Sequence, residues 1–253
     1  MIARIEPSDR QLASILGRVS PLTKLGVAIG WLIGMATTTA IVPPLLLAVV
    51  ATGAGVVFGR LRLIAIVRGA APLWLAALSV GLFNTVFAAA NVDPAAMEVA
   101  RIGPLRLTEA GLLGGVGLAA RIIAIGVVGV VFAQTTDSTR LVDGLVQQAG
   151  VPERFGYGAL AAYQAVPRFA EDLATLRQAR RIRGLRGSWH PRLLVSLLIL
   201  AIRHGDRLAL AMDARGFGEG GPRSRYRIAS WTWLDVAVAG VGLAVLVATL
   251  VLT

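Results

Sequence analysis

Two short arginine-glycine segments carry the most readily interpreted chemistry in this sequence. The first reads Arg181-Ile182-Arg183-Gly184 and the second Asp213-Ala214-Arg215-Gly216-Phe217, so that the two Arg-Gly pairs lie 32 residues apart. A guanidinium group is a fixed fork of donors that can bind a carboxylate through two hydrogen bonds. For one segment alone, a plain helix cap is the more economical interpretation, because arginine is favoured near helix C-termini and glycine ends helices. The repetition favours docking onto acidic grooves of a partner protein.

Both segments end stretches of helical periodicity. In residues 168–183, apolar residues recur at spacings of three and four while arginines occupy other positions, and this is the pattern of an amphipathic helix. The apolar run at 193–202 is too short to cross a membrane and continues as a helix towards Arg215. The sequence therefore predicts two helices that lie at a membrane surface or against a partner, each ending in Arg-Gly.

The composition places the chain in the membrane class. Hydrophobic residues make up 56% of it, charged residues only 15%, and the mean hydropathy is +0.72. The net charge of +11 raises the question of a nucleic-acid partner, but aromatic residues are 6% and no recognition motif accompanies the arginines. No nucleic-acid partner is expected. Anionic membrane lipids remain an alternative partner for the arginines, at about 1 kcal/mol per charge.

Apolar runs predict five membrane-spanning helices. Residues 25–58 carry no charge and are broken by Thr37-Thr38-Thr39 and by Pro43-Pro44, so we expect two spans with a tight reversal between them. Further spans are expected at 70–90, 111–133 and 231–252. The predicted organisation is an N-terminal tail at 1–24, a four-span region at 25–134, a coupling-helix region at 135–230 and a final span at 231–253.

The distribution of arginine predicts the orientation. Between residues 134 and 230 there are 15 arginines and 8 acidic residues, whereas the loop at 91–109 has a small negative charge. By the positive-inside rule, the N-terminus and the 135–230 region are expected in the cytoplasm. The predicted fold is thus an all-α, multi-pass integral protein of the plasma (inner) membrane, with a cytoplasmic or interfacial bundle of amphipathic helices.

Polar and small residues within the spans predict helix packing. Arg121 interrupts the fourth span, where burial of a charge costs about 2.5–3.5 kcal/mol, so we expect it to face the bundle interior and to bind a partner there. A tie between helices is favoured over a transport path for Arg121, and a hydrogen bond to a neighbouring helix is expected for Asn84. Glycines four residues apart predict close helix approach, namely Gly26, Gly30 and Gly34 on the first span and Gly111 and Gly115 on the fourth.

The common catalytic motifs are missing. A phosphate-binding Walker A loop needs a lysine after its glycines, and the only lysine is Lys24. There is no HExxH or GxSxG motif and no cysteine, and His190 and His204 alone cannot form a closed zinc site. We therefore expect no catalysis, no metal site and no cofactor in this chain.

The sequence resembles the T component of energy-coupling factor (ECF) transporters, the membrane scaffold of vitamin and metal-ion importers. The second arginine segment has the Ala-Arg-Gly signature of that family, and the first has Ile182 in place of its alanine. Other similar segments are Ser20-Pro21-Leu22-Thr23-Lys24-Leu25, the residues 107–112, Arg121, Thr135-Thr136-Asp137, Gly150-Val151-Pro152 and the residues 165–169.

The resemblance implies a non-catalytic energy-coupling subunit. It implies that two ATP-binding cassette ATPases, which would hold ATP and Mg²⁺, dock on Ile182, Arg183, Gly184, Ala214, Arg215 and Gly216. It also implies that a small substrate-binding membrane subunit (S subunit) contacts the coupling helices, for uptake of a vitamin or of a transition metal such as cobalt or nickel. The alternative is a self-sufficient secondary transporter or channel, which predicts uptake by the purified chain alone.

Overall fold

A computed structural model describes residues 11, 13–38, 40–93, 96–103, 105–185, 187, 189–218, 225 and 227–251. Residues 1–10 and 12 of the predicted N-terminal tail, Thr39 and the last two residues of the predicted final segment at 231–253 lie outside the described residues. The chain divides into two compact units. We name them the apolar unit, Met1–Leu141 with Ser230–Thr253, and the arginine-rich unit, Val142–Ala229.

The apolar unit is built from helices whose ends follow local sequence signals. Proline occupies the first turn of the helices at Pro21–Thr37 and Val42–Val57, where its missing amide hydrogen has no helical partner to lose. The elements are α1 (Ile15–Arg18), α2 (Pro21–Thr37), α3 (Val42–Val57), α4 (Leu63–Phe87), a 3₁₀ turn (Ala89–Val92), β1 (Glu98–Ile102), β2 (Leu105–Thr108), α5 (Glu109–Thr135) and, after the arginine-rich unit, α9 (Trp233–Val251).

Three described segments are long and apolar enough to cross a membrane: Leu63–Val92, Glu109–Thr135 and Trp233–Val251. The first two predicted spans form the shorter apolar helices α2 and α3, of 17 and 16 residues. The third predicted span begins earlier than expected, because α4 continues through Arg68 and accommodates Pro72 within the helix. The all-α membrane fold is confirmed, with a small antiparallel hairpin (β1 and β2) that the sequence did not predict.

Glycines bring α4 and α5 into close contact. A Cβ atom at Gly115 would lie 2.5 Å from the backbone oxygen of Gly81 and would overlap the hydroxyl of Thr85. A Cβ atom at Gly111 would lie 2.7 Å from Asn91 Oδ1. The packing predicted for Gly111 and Gly115 is therefore found, and it fixes the long helices α4 and α5 side by side.

The glycines of α2 behave differently from one another. A Cβ atom at Gly34 would overlap Leu246 of α9, and the Trp31 indole nitrogen donates a hydrogen bond of 2.8 Å to the Gly242 carbonyl. At Gly26 and Gly30 no atom of the described chain lies within 4 Å of an added Cβ. The expectation of close packing is thus wrong for these two positions within this chain, because α9 contacts another part of the helix surface.

The hairpin and the start of α5 are organised by Asn91. Its amide nitrogen donates to the carbonyls of Thr85 and Val86, at 2.8 and 3.0 Å, at the end of α4. Its oxygen accepts hydrogen bonds from the backbone nitrogen and the hydroxyl of Thr108, at 3.0 and 2.8 Å. Thr108 is the N-cap of α5 and accepts from the Gly111 amide. One buried amide therefore connects the end of one long helix to the beginning of the next.

The core of the apolar unit lies between α2, α3, α4 and α5. Its buried side chains are Trp31, Met35, Leu47, Ala48, Ala51, Leu61, Ile66, Ala124, Val127, Val128 and Val131. Most other large apolar side chains of these helices are exposed, for example Leu75 at 73% and Phe83 at 66%. An apolar exterior around a packed interior is what a lipid environment permits.

The arginine-rich unit contains the end of α6 (Ser138–Gln147) and two longer helices, α7 (Glu153–Ile182) and α8 (Pro191–Asp213). Helices α7 and α8 pack against each other, and the rings of Phe169 and His204 meet edge to face with centroids 6.2 Å apart. At another point Arg154, near the start of α7, donates a hydrogen bond to the carbonyl of Gly218, just after α8. The two helices therefore run antiparallel.

Candidate docking site

The end of α7 forms a capped terminus around Gly184. The Leu185 amide donates to the Arg180 carbonyl at 3.1 Å, and the Gly184 amide donates to the Arg181 carbonyl at 3.0 Å. Gly184 has φ of +72°, the left-handed conformation expected for a helix-ending glycine. This pair of hydrogen bonds is the Schellman motif, in which Arg183 is the last residue before the glycine.

The end of α8 repeats that arrangement. The Phe217 amide donates to the Met212 carbonyl at 3.0 Å, and the Gly216 amide donates to the Asp213 carbonyl at 2.9 Å. Gly216 has φ of +66°, and Arg215 occupies the position that Arg183 occupies in α7. We call residues 182–185 the first tip and residues 214–217 the second tip. Similar sequences thus fold into the same local geometry at two helix ends.

Both tip arginines are available to a partner. Arg183 and Arg215 are exposed, and neither forms an ion pair among the described residues. Ile182 is 87% exposed and Ala214 is exposed as well. The side chain before each arginine therefore has little contact within the chain.

The tips lie at opposite ends of the helix pair. The distance of each tip along its helix is measured from the contact between Phe169 and His204, where α7 and α8 meet. At 1.5 Å per residue, the first tip is about 21 Å along α7 from this contact and the second is about 16 Å along α8 in the opposite direction. The pair can therefore present one guanidinium group at each end, up to about 37 Å apart.

An apolar surface runs along α8 between the tips. Leu194, Val195, Leu198, Ile199 and Ile202 are each 47–60% exposed and recur at spacings of three, four and one, while Leu193 is buried. This amphipathic arrangement agrees with the predicted periodicity. Such a stripe suits contact with lipid or with an apolar protein surface.

The histidines have local structural contacts. His190 is the N-cap of α8, where its Nδ1 accepts from the Arg192 amide at 3.1 Å, and His204 packs on Phe169. Among the described residues no group of three or more His, Asp or Glu side chains is close enough to hold a metal ion.

Tyr157 connects α7 to α6. Its hydroxyl donates to Asp143 Oδ1 at 3.0 Å. Burial, and then this hydrogen bond, raises the pKa of the Tyr157 phenol above its ordinary value. The phenol is therefore protonated at neutral pH and remains the donor.

Several motifs that are separate in the sequence meet in the apolar unit. Asp235 is 1% exposed, and its carboxylate accepts hydrogen bonds of 2.6 Å from the Ser20 amide and of 2.6 and 2.8 Å from the amide and hydroxyl of Thr232. The buried Lys24 ammonium donates to the Thr135 carbonyl at 2.7 Å. The ends of α2, α5 and α9 are joined in this way. Lys24 and Thr135 belong to two separate segments of the sequence, and the sequence did not predict that they would lie together.

Arg121 is a tie between helices. Its guanidinium donates to the carbonyl of Thr38, which follows the last residue of α2. At the other end of α2, Lys24 binds the last residue of α5. Both ends of α2 are therefore attached to α5. A cation at the C-terminus of α2 also interacts favourably with the helix dipole. The preference for a structural tie over a transport path at Arg121 stays a prediction.

Sequence reasoning missed two residues of importance for these arrangements. Asn91 lies in the segment that was expected to be a loop, and its hydrogen bonds were not predicted. Asn84 is the residue for which the sequence predicted a hydrogen bond to a neighbouring helix, and none is found for it among the described residues. Arg154 resembles any other exposed arginine in the sequence. Its partner, Gly218, follows α8 and is 64 residues away in the sequence, so that only the structure reveals the contact.

Comparison with known proteins identifies a family and several similar proteins. The model of the CbiQ family, described as cobalt transport protein, matches residues 13–226. The energy-coupling factor transporter transmembrane protein EcfT of Heliobacterium modesticaldum is 29% identical over an alignment of 267 positions, gaps included. The alignment covers 97% of this chain and 91% of that protein. The EcfT of Lactococcus lactis is 24% identical, with 93% of this chain and 91% of that protein covered.

A third relative has a different name and a greater length. It is an ABC transporter ATP-binding protein of Bifidobacterium longum, 27% identical over 232 residues, which cover 85% of this chain but 29% of that protein. The family match extends over most of the chain and includes both tips. The chain therefore belongs to the CbiQ family and is a transmembrane component of an energy-coupling factor transporter.

Proposed function

We propose that this chain is the non-catalytic coupling subunit of its transporter and that two cytoplasmic ATPases dock on its two tips. The observation that carries the proposal is the repeated helix end: one exposed arginine, held by the same Schellman motif, at each end of one antiparallel helix pair. Two equivalent docking elements suit a pair of similar ATPase subunits. In each, the guanidinium group would bind carboxylates in an acidic groove.

The name of one relative supports an ATPase partner. A protein named as an ATP-binding protein contains a segment similar to 85% of this chain. By its name, that protein combines a segment of this kind with ATP binding in one polypeptide. In the present chain, where Lys24 is the only lysine and no Walker A loop is found, ATP and Mg²⁺ would be bound by separate subunits.

We further propose that the apolar stripe of α8 faces the S subunit of the complex. Five exposed apolar side chains lie on one side of this helix, and the buried centre of a protein interface is enriched in apolar surface. The S subunit would select the cargo, a vitamin or a transition-metal ion such as cobalt or nickel. Closing of the ATPases would then move the tips, and with them the helices that contact the S subunit.

The direct test is the double substitution Arg183→Glu with Arg215→Glu. Each change removes a forked donor and places a like charge in an acidic groove, so each should cost about 2–5 kcal/mol of docking free energy. Co-purification of the ATPases with the membrane complex should be strongly reduced by either substitution and lost in the double variant. ATP-dependent uptake in proteoliposomes should be lost with it.

The matched control is Arg168→Glu with Arg203→Glu. These exposed arginines lie on the same two helices but away from the tips, and the change in charge is identical. This variant should retain the ATPases. The proposal fails if the tip variant still co-purifies and supports uptake, or if the purified chain transports cargo by itself.

A further inference from the structure

We propose that Arg154, with Gln147 and Gln148, positions the second tip before an ATPase docks. This inference rests on the docking function proposed above and adds three residues that lie outside both tips. They belong to the corner between α6 and α7. Their hydrogen bonds reach the backbone on both sides of the segment that follows the second tip.

Arg154 holds the near side of that segment. Its Nη2 donates a hydrogen bond of 2.7 Å to the carbonyl of Gly218, three residues after Arg215. Gly218 has φ of +88°, and a Cβ atom there would overlap Arg154 Nε and lie 3.0 Å from Nη2. Glycine adopts this left-handed backbone conformation more readily than any other residue, and it leaves room for the guanidinium group beside its carbonyl.

The two glutamines hold the far side. Gln147 Nε2 donates to the Arg227 carbonyl at 2.9 Å, and Gln147 Oε1 accepts from the Ala229 amide at 3.0 Å. Gln148 Nε2 donates to the Ala229 carbonyl at 3.2 Å. A side-chain amide that both donates to and accepts from one short backbone segment replaces a pair of strand hydrogen bonds. The chain is thus held on both sides of residues 219–226.

The first tip has no equivalent support in the described part of the chain. Its amides bind only the carbonyls of α7, and no described side chain donates to or accepts from the backbone of residues 183–185 or 187. Ile182 is 87% exposed and Leu185 is 48% exposed. The two tips share a local geometry but differ in how they are held. The second should be more ordered in the free protein, and ordering before binding favours affinity.

The first measurement is amide hydrogen exchange on the full chain in lipid nanodiscs, with mass-spectrometric readout. Arg154→Met removes the donor and keeps the side-chain length, and we expect exchange of the peptide containing residues 214–218 to rise about threefold to tenfold. The peptide containing residues 182–187 should not change. Arg168→Met, an exposed arginine of the same helix, should change neither peptide.

The second measurement is ATPase affinity in a double-mutant cycle. Arg154→Met should weaken binding about threefold to tenfold in the native background and also in Arg183→Glu. In Arg215→Glu it should have no further effect, because the element that Arg154 positions no longer binds. A merely structural contribution to the helix pair would instead weaken binding in all three backgrounds.

Gly218→Ala provides a second route if Arg154→Met does not fold, since it displaces the guanidinium group from the opposite side. Unchanged exchange of residues 214–218 in both variants would overturn the proposal, as would additive effects of Arg154→Met and Arg215→Glu. If neither tip substitution weakens docking, the proposed function fails, and the exchange experiment still decides whether Arg154 orders the tip.

Discussion

Asp235 shows how a single charged residue can be accommodated in an apolar unit. It lies near the start of the predicted final span. In the structure its carboxylate accepts hydrogen bonds from Ser20 and Thr232. A buried carboxylate that is satisfied on both oxygens is a positioning element rather than a site of chemistry.

Removing that carboxylate should destabilise the apolar unit. Asp235→Ala leaves the amides of Ser20 and Thr232 without their acceptor, and each loss of this kind costs about 1–3 kcal/mol. The midpoint of thermal unfolding, followed by tryptophan fluorescence in detergent, should fall by several degrees. Asp206→Ala, at an exposed position on α8, should leave the midpoint unchanged. Equal midpoints for the two variants would contradict the bridging function of Asp235.

At the level of elements, the sequence predicts features that depend on nearby residues and misses those that depend on distant ones. The helix ends at Gly184 and Gly216 follow from the residues beside them, and both glycines have the positive φ that this requires. The hairpin could not be predicted in this way, because its position depends on Asn91 binding Thr108 across the end of α4. The partner of Arg154 likewise lies 64 residues away.

The close approach of α4 and α5 gives a test with an internal control. A methyl group at Gly115 would meet the backbone oxygen of Gly81, which cannot move without displacing α4, so Gly115→Ala should cost about 1–3 kcal/mol. Gly129 lies on the same helix with no atom within 4 Å of an added Cβ, and Gly129→Ala should be neutral or slightly stabilising. Thermal unfolding of the purified variants measures the difference. A similar effect of both substitutions would show that α4 and α5 are not in contact at Gly115.

The predicted orientation of the chain in the membrane rests on charge alone and can be tested directly, since the chain has no cysteine. Met97→Cys places a thiol beside the hairpin, where the side chain is 75% exposed, and Gln178→Cys places one on the exposed surface of α7. A membrane-impermeant maleimide should label Met97→Cys in intact cells and Gln178→Cys only after permeabilisation. The opposite pattern would invert the predicted topology and remove the tips from cytoplasmic ATPases.

The attachment of α2 to α5 also has a consequence for the surrounding lipid. With 17 and 16 residues, α2 and α3 are about 24–26 Å long, whereas the hydrocarbon layer is about 30 Å thick. Arg121, about halfway along α5, binds the turn after α2. Because of this attachment, α2 and α3 cannot shift along the axis of α5 to match the thickness of the bilayer. The apolar unit therefore combines two long helices, α4 and α5, with two short helices, α2 and α3. Such hydrophobic mismatch favours a locally thinned bilayer beside α2 and α3, at a cost of fractions of a kcal/mol per Å.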